Sequence, residues 1–346
     1  MTKTAAILSF RLGGADGVSI ESSKWAGLLT SLGWAVRTVA GTGPVDIVVN
    51  GLDFNDDTKP DASLIDRATR GCDVVIVENL LSLPLKLSAS RVVAAALAGR
   101  PAILRHFDLA WQRHRFAHIT ELPPVDPSWR HVVINELSRR QLQDRGIAAT
   151  LIPLGFSAVT TGRRSDMRSA LGLVPDDVLQ LQPTRAIERK GLPDAVALAG
   201  ALGAVLWITG PAEEGYEPTL AELLARAPGR VIRGWPPGDW TMDDAYAAGD
   251  LVSFPSHWEG FGLPMIEAAQ HRKLLVARTY PVATDFARAG LRWVDVDSPA
   301  AVADVQAFLR MPDSGWLDHN AMVAARSFGV DGARSRFAAL LEECLR

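Results

Sequence analysis

Short apolar segments alternate with longer segments of helical periodicity along most of the chain. In the first half, the apolar segments are residues 5–10, 46–49, 73–77, 102–104 and 132–134. Between the first two, the apolar residues from Ile20 to Leu32 fall at helical spacing, and Gly33 follows where a helix would end. This alternation is typical of a parallel, doubly wound α/β sheet.

A second series of the same kind follows a hinge. Residues 149–155 predict a short strand that leaves through Pro and Gly, and residues 163–168 are strongly polar. The later apolar segments are residues 178–181, 205–209, 231–232, 251–254 and 274–277. We therefore predict two Rossmann-like domains, residues 1–155 and 156–332, with a final helix at 333–346 that packs back on the first.

Composition narrows the class of protein. A chain of 346 residues with 48% hydrophobic content suits two packed cores. No run of about 18 uncharged apolar residues occurs and the first apolar segment is too short for a signal peptide, so we expect a cytoplasmic protein without a transmembrane segment. The net charge of -3 argues against nucleic acid as a partner. Cys72 and Cys344 lack the spacing of a zinc site or a disulfide framework.

The stretch from Phe254 to Glu267 is the clearest sign of a ligand site. It reads Phe-Pro-Ser-His-Trp-Glu-Gly-Phe-Gly-Leu-Pro-Met-Ile-Glu, which predicts a strand end, a turn with glycines and a helix that begins near Pro264. Ligands of parallel sheets bind at such strand-to-helix edges. The amides of Gly260, Gly262 and the first helical turn would face a phosphate.

Two carboxylates, Glu259 and Glu267, bracket this turn. A carboxylate accepts hydrogen bonds from paired sugar hydroxyls, and both ribose and hexose offer such pairs. The same residue types also suit a solvated turn and a helix N-terminus. Spacing alone leaves both interpretations open.

A cationic loop follows the first strand of the second domain. It reads Pro183-Thr-Arg-Ala-Ile-Glu-Arg-Lys-Gly191, with Arg185 and Lys190 at either side. A guanidinium and an ammonium are suited to neutralise a departing nucleoside diphosphate, because its phosphoryl groups gain negative charge as the sugar bond breaks. We interpret Arg189 as a solvated neighbour.

The first domain offers weaker candidates. Gly13 and Gly14 follow the first strand, in a loop that permits close backbone approach to a ligand. His106 follows the apolar segment at 102–104 and begins a stretch rich in hydrogen-bonding groups that extends to Arg115. A core histidine followed by ordinary basic surface is the competing interpretation. The GxGxxG, Walker A, HExxH and GxSxG motifs are absent from the sequence.

Together these segments resemble the retaining GT-B glycosyltransferases of the family 4 type, the glycosyl transferases group 1. The family's hallmark is a Glu, seven residues and a second Glu, here Glu259 to Glu267. The other matching segments, in the family's order, are Gly13-Gly14, Ile152-Pro-Leu-Gly, Arg185 with Lys190-Gly191, and Asp244-Ala-Tyr-Ala-Ala-Gly-Asp-Leu. The sequence departs from the family pattern at Arg272-Lys-Leu-Leu and at Leu154.

The resemblance implies a role for each site residue. Glu267 would hold the ribose hydroxyls of the donor, Glu259 the sugar hydroxyls, and Arg185 with Lys190 the diphosphate. Backbone amides of the donor site would come from Gly260, Phe261, Gly262 and Leu263, and the Gly13-Gly14 loop would approach the donor from the acceptor-side domain. His106 matches a histidine that the family places beside the donor sugar, with Asp108 as its competitor.

The implied reaction is the retaining transfer of a hexosyl group from a UDP-, GDP- or ADP-linked sugar to an acceptor hydroxyl, between two facing domains. No cofactor and no essential metal are implied. Peripheral membrane contact through residues 105–115 is less favoured than ordinary surface. A non-catalytic sugar-nucleotide or glycan-binding protein and a GT-B sugar-nucleotide epimerase remain the alternatives, and the Glu259 to Glu267 pair disfavours the epimerase.

Overall fold

The computed structural model describes residues 2–14 and 16–346 and divides into two compact units. Unit 1 comprises residues 1–155 with 330–346, and unit 2 comprises residues 156–329. Each unit is built around one sheet in which the paired strands are parallel. The predicted α/β class with two Rossmann-like domains is confirmed.

Unit 1 contains a seven-stranded sheet. Its strands are β1 (Thr4–Arg11), β2 (Ala35–Thr42), β3 (Ile47–Val48), β4 (Val74–Glu78), β5 (Ala102–His106), β6 (Trp129–Val133) and β7 (Ala149–Leu151). The helices between them are α1 (Gly17–Ser31), α2 (Ala62–Thr69), α3 (Leu87–Leu97) and α4 (Glu136–Gln143). The spatial order is β3-β2-β1-β4-β5-β6-β7, and apolar clusters cover both faces: Ala6 and Leu8 belong to one cluster, Ala5 and Ile7 to the other.

The second strand of unit 1 differs from the prediction. The apolar segment at 46–49 contributes only the two-residue edge strand β3, whereas the full partner of β1 is β2, at residues 35–42. This strand carries Arg37 and Thr38 on a half-exposed surface, so its apolar run is interrupted. The Thr38 amide and hydroxyl donate to the Asp46 carboxylate at 2.7 and 2.8 Å. Hydrogen bonds between polar groups therefore hold this edge of the sheet. They leave no apolar period in the sequence from which the strand could be predicted.

Unit 2 contains a six-stranded sheet. Its strands are β8 (Leu179–Gln182), β9 (Val205–Ile208), β10 (Val231–Arg233), β11 (Leu251–Phe254), β12 (Leu274–Ala277) and β13 (Val294–Asp295). The helices are α5 (Arg164–Ala170), α6 (Leu192–Leu202), α7 (Glu217–Ala225), α8 (Met242–Ala248), α9 (Leu263–Gln270), α10 (Ala283–Ala289), α11 (Ala301–Arg310) and α12 (Ser314–Phe328).

The strand order of unit 2 creates a topological switch point. The order is β10-β9-β8-β11-β12-β13, so the chain moves outward in one direction from β8 and in the other from β11. The loops that leave these two neighbouring strands therefore diverge and open a crevice at the carboxyl edge. The unit thus has one preferred location for a ligand.

The C-terminal helix α13 (Val330–Cys344) belongs to unit 1. Phe337 is fully buried, and its ring lies 4.3 Å from that of Trp25, centroid to centroid. Leu340 and Leu341 are buried in the same apolar cluster, and Cys344 lies against Ala102, its sulfur 3.7 Å from the carbonyl oxygen. The chain therefore returns to complete the core of the unit in which it began.

A buried charge cluster lies within unit 1. Arg105, which the sequence grouped with a surface-like basic stretch, is fully buried and donates to Glu21 at 3.0 Å and to Glu78 at 3.3 Å. Its guanidinium lies 4.0 Å from the ring centroid of Trp25. Burial raises the pKa of Glu78 to about 7, against the opposing charge of Arg105. One oxygen of Glu78 is buried without a partner among the described residues.

Replacing Glu78 with Gln is expected to change how stability depends on pH. The carboxyl has a pKa of about 7 in the folded protein and 4.5 ordinarily. The unfolded chain therefore ionises first, and stability falls as the pH rises from about 4.5 to 7. The Glu78→Gln variant should lack that fall and be more stable at pH 8 by up to roughly 3 kcal/mol.

Urea unfolding of both proteins at pH 5 and pH 8 measures the effect. A parallel loss of stability in the native protein and the variant over that range would contradict the assignment to Glu78.

Candidate active site

The loops that follow β8 and β11 meet at the carboxyl edge of the unit 2 sheet. The first contains a 3-10 turn at Glu188–Lys190 and then Gly191, whose φ is +64°. A Cβ on Gly191 would lie 2.2 Å from the Pro255 carbonyl oxygen, so only glycine fits there. The His257 amide donates to the Arg189 carbonyl at 2.9 Å. The two loops are thereby joined backbone to backbone.

The second loop ends in a constrained turn at the N-terminus of α9. Gly262 has a φ of +116°, and a Cβ there would lie 1.9 Å from the Tyr280 hydroxyl. That hydroxyl donates to the Phe261 carbonyl at 2.7 Å, and Pro264 lies in the first turn of α9. The first amides of a helix have no acceptor within the helix and favour an anion. The turn therefore presents main-chain amides suited to an anion beside the switch point, although Pro264 has no N–H and the Met265 amide donates to the Gly262 carbonyl at 3.0 Å.

Glu259 lies at the centre of the joined loops and contacts two cations. One carboxylate oxygen accepts from the Lys190 ammonium at 2.6 Å and the other from the Arg189 guanidinium at 2.7 Å. Glu259 and Lys190 are 7% and 8% exposed, respectively, so water screens this pair little. Lys190 also lies 5.3 Å from the ring centroid of Phe254.

The electrostatics of this cluster favour the charged carboxylate. Burial raises the pKa of Glu259, but Lys190 and Arg189 outweigh burial and hold the pKa below its ordinary value. Burial lowers the pKa of Lys190, which Glu259 opposes. Two cations and one carboxylate leave one positive charge in excess at the switch point. A negatively charged ligand would compensate that charge.

Glu267 belongs to α9 and is held by a buried tyrosine. The Tyr246 hydroxyl, from α8, donates to one Glu267 carboxylate oxygen at 2.7 Å. Burial raises the pKa of Tyr246 well above its ordinary value, and the charge of Glu267 adds to this. The phenol therefore stays protonated and donates its hydrogen.

A second layer of contacts supports Tyr246. Its ring stacks on that of His271, with the centroids 4.6 Å apart. One His271 ring nitrogen lies 2.8 Å from the Glu267 carbonyl and the other 2.9 Å from the Asp243 carboxylate. Asp243 in turn accepts from the Thr160 amide at 2.9 Å. These contacts fix the orientation of the side chains around Glu267.

Arg185 lies apart from this cluster. Its guanidinium pairs with Glu213 at 2.6 Å, and both side chains are nearly half exposed. The structure therefore brings Lys190 to Glu259 but gives Arg185 a different partner. The charge of Arg185 is nevertheless among those that lower the pKa of Lys190, after burial and Arg189.

The remaining candidates belong to unit 1. His106 ends β5 and is almost fully buried, with one ring nitrogen 3.0 Å from a His131 ring nitrogen. Burial, together with His131, lowers the pKa of His106 well below its ordinary value, so the ring is neutral. Asp108 pairs with Arg113 at 2.8 Å. The core-histidine interpretation thus describes the local packing of His106, and its catalytic role stays a prediction.

Gly13 and Gly14 lie in the exposed loop between β1 and α1. Gly13 has a φ of +76°, and a Cβ there would lie 2.4 Å from the ring of Pro44. Gly14 adjoins the Asp16 side chain, which caps α1. Their role toward a donor stays a prediction.

Two residues of the site were not identified from the sequence. Arg189, interpreted there as a solvated neighbour, is three-quarters buried and donates to Glu259 and to the Trp258 carbonyl. That interpretation was wrong because the 3-10 turn packs against the loop after β11, which a local charge pattern does not reveal. Tyr246 lay within a segment that matched the family, but it was assigned no role from the sequence.

Two general features complete the description. Within the part of the chain that the structure describes, no group of three or more His, Cys, Asp or Glu residues is arranged to hold a metal ion. No helix among the described residues has both the length and the apolar character needed to span a bilayer.

A match to the family model and the fold of the chain support a group 1 glycosyltransferase with the GT-B fold, as the sequence resemblance predicted. The family model described as glycosyl transferases group 1 matches residues 191–310. This range begins directly after Lys190 and includes Glu259 and Glu267. A mannosylglucosylglycerate synthase from Thermotoga maritima is 25% identical, with 84% of each chain covered. The chain is thus a glycosyltransferase that uses a nucleotide sugar.

Solved structures match nearly the whole chain. HepE from Anabaena, in complex with UDP-glucose, has a TM-score of 0.77 at 16% identity, with 98% of this chain and 99% of that chain covered. Sucrose-phosphate synthase from Thermosynechococcus elongatus has a TM-score of 0.74 at 15% identity, with 99% and 98% covered. At these identities the matches establish the fold.

Replacing Tyr246 with Phe is expected to weaken donor binding with little loss of folding. The variant keeps the ring stacked on His271 but removes the hydrogen bond to Glu267. A hydrogen bond to a charged group contributes about 1.5–3 kcal/mol, so we expect the KM for the nucleotide sugar to rise about tenfold.

Steady-state kinetics measure the change, with Tyr216→Phe, at the residue that precedes α7, as the matched control. An unchanged KM in the Tyr246→Phe variant would mean that the Glu267 contact does not support donor binding.

Proposed function

We propose that the protein is a retaining hexosyltransferase that moves a hexosyl group from a nucleoside diphosphate to an acceptor hydroxyl. The observation that carries the proposal is the buried Lys190 and Glu259 pair, 2.6 Å apart, at the switch point and beside the N-terminus of α9. A cation and a carboxylate so placed match the two parts of a sugar nucleotide, its diphosphate and its hydroxyls.

Lys190 is the residue to which we assign stabilisation of the leaving group. As the sugar bond breaks, negative charge accumulates on the diphosphate, and a fixed cation in a site with little water stabilises that charge strongly. The Lys190 ammonium contacts Glu259. We propose that the diphosphate takes over part of this contact, aided by Arg185 and by the amides of residues 260–263.

The two glutamates receive separate roles in this proposal. Glu267, held by Tyr246, accepts from the ribose hydroxyls, and Glu259 accepts from hydroxyls of the transferred sugar. The cations around Glu259 keep it ionised, and an ionised carboxylate is the stronger hydrogen-bond acceptor for sugar hydroxyls. We propose that unit 1 is the acceptor-side domain. Within it, His106 or Asp108 and the Gly13-Gly14 loop are the groups that we assign to the donor sugar, as the family resemblance implies.

The names of relatives support a hexosyl donor. Two are mannosylglucosylglycerate synthases, and HepE from Anabaena is in complex with UDP-glucose. Retention of configuration and independence of metal ions are part of our proposal and follow from the family 4 resemblance. A cytoplasmic location is part of the proposal as well.

A donor screen tests the proposed function. Thermal unfolding is followed with UDP-glucose, GDP-mannose and ADP-glucose, since a ligand that binds the folded state stabilises it according to its affinity. We expect one of them to raise the Tm and to release its nucleoside diphosphate in the presence of acceptor sugars, with or without EDTA. Stabilisation without turnover would favour the binding-protein alternative, and conversion to a second sugar nucleotide would favour the epimerase.

Replacing Lys190 with Ala is expected to lower kcat by about 10²- to 10³-fold, the usual cost of removing one stabilising donor from a transition state. The effect on donor KM should be smaller because the loss falls mainly on the charge that develops during the reaction. Lys59→Ala, at an exposed lysine, is the matched control. A folded Lys190→Ala protein with native kcat would rule out the assigned role.

A further inference from the structure

Arg189 contributes the second positive charge of the site. It ends up beside Glu259 because its own carbonyl accepts the His257 amide at 2.9 Å, which fixes the 3-10 turn on the loop after β11. The guanidinium donates to the Glu259 carboxylate at 2.7 Å and to the Trp258 carbonyl at 2.9 Å. Its side chain is 26% exposed, against 45% for that of Arg185.

We propose that Arg189 is a positioning residue: it keeps the Glu259 carboxylate oriented toward the donor sugar while Lys190 engages the diphosphate. The proposal rests on the proposed function, since it takes the sugar-binding role of Glu259 as given. Arg189 itself acts through Glu259 and touches neither the diphosphate nor the sugar.

The charge balance of the site explains why such a residue is needed. Lys190 and Arg189 share one carboxylate. When a diphosphate arrives, the ammonium is drawn to a second and stronger anion. With Lys190 alone, a buried carboxylate and a diphosphate would then compete for one cation, and a buried charge left without a partner is costly. Arg189 removes that competition because it binds the oxygen of Glu259 that Lys190 does not.

The geometry favours arginine for this task. A guanidinium presents its donors in a fixed plane, so one side chain can hold a carboxylate and a carbonyl of neighbouring residues at once. Here it holds the Glu259 side chain and the Trp258 main chain, which fixes the carboxylate relative to its own backbone. Both bonds come from one nitrogen, Nη1. A lysine at position 189 would keep the charge, but its side chain is one bond shorter and its ammonium rotates freely, so it should restore the function only in part.

The test separates positioning of the sugar from general support of the loop. The probes are the sugar nucleotide that stabilises the native protein most among UDP-glucose, GDP-mannose and ADP-glucose, and its nucleoside diphosphate without sugar. Their Kd values are measured by calorimetry for the native protein, Arg189→Gln and Arg189→Lys. Arg226→Gln, at an exposed arginine paired with Glu222, is the matched control.

We expect Arg189→Gln to weaken binding of the sugar nucleotide about tenfold, the scale of one lost hydrogen bond to a charged group, and to change nucleoside diphosphate binding less than about threefold. Arg189→Lys should fall between the native protein and Arg189→Gln. An equal loss for both probes would assign Arg189 to loop structure only, and no loss for either would deny it any role. Both outcomes overturn the proposal.

A pH series gives an independent readout. The ionisable groups that face Glu259 are Lys190 and Arg189 from the 3-10 turn and Tyr280 from the loop after β12. Without the Arg189 charge, burial is opposed by Lys190 alone, so the carboxylate should take up a proton at higher pH. As the pH is lowered, binding of the sugar nucleotide should therefore begin to weaken at a higher pH in Arg189→Gln than in the native protein. Coincident pH profiles would overturn the proposal.

Failure of the proposed function gives a different result. If the native protein binds none of the three sugar nucleotides, the proposed function and the role of Arg189 fail together. If the native protein binds and turns over a donor but Arg189→Gln behaves as the native protein does, only the role of Arg189 fails.

Discussion

The ion pair of Lys190 and Glu259, nearly inaccessible to water, is the interaction on which the rest of the site depends. A buried pair of this kind is a weak source of stability, because the loss of hydration offsets much of the attraction between the charges. The pair matters because of where it places its two charges. It holds an ammonium and a carboxylate at one point between two diverging loops. The guanidinium of Arg189 adds a second positive charge there, so the cluster carries an excess of positive charge. The cluster therefore presents a net positive charge to an anionic ligand.

The backbone makes this placement possible. Parallel strands bring the carboxyl ends of β8 and β11 side by side, and the reversal of strand order opens a crevice there. Gly191 and Gly262 then allow contacts that a Cβ would block, with the Pro255 carbonyl and the Tyr280 hydroxyl, respectively. Glu267 is placed by a separate route, through Tyr246 and the stacked ring of His271. The two glutamates can therefore serve different parts of one ligand.

The sequence predicts those features that have a local period or a local motif. Buried strands such as β4, β5 and β11 consist mainly of short apolar segments, and the Glu259 to Glu267 stretch combines a strand end, glycines and a helix start. Strand β2 escaped prediction because Arg37 and Thr38 interrupt its apolar run on a half-exposed edge. The contact of Arg189 with Glu259 joins residues 70 positions apart. No local pattern encodes such a contact, and the same holds for the burial of Arg105 against Glu21.

We expect a nucleoside diphosphate to bind where Lys190 meets the loop before α9. A crystal structure of the protein soaked with UDP, GDP or ADP tests this most directly. We expect phosphate oxygens within hydrogen-bond distance of the Lys190 ammonium and of the amides of residues 261–263, with Glu259 still paired to Arg189. A nucleotide bound elsewhere, with the Lys190 and Glu259 pair undisturbed and no phosphate contact to the amides of residues 261–263, would contradict this placement.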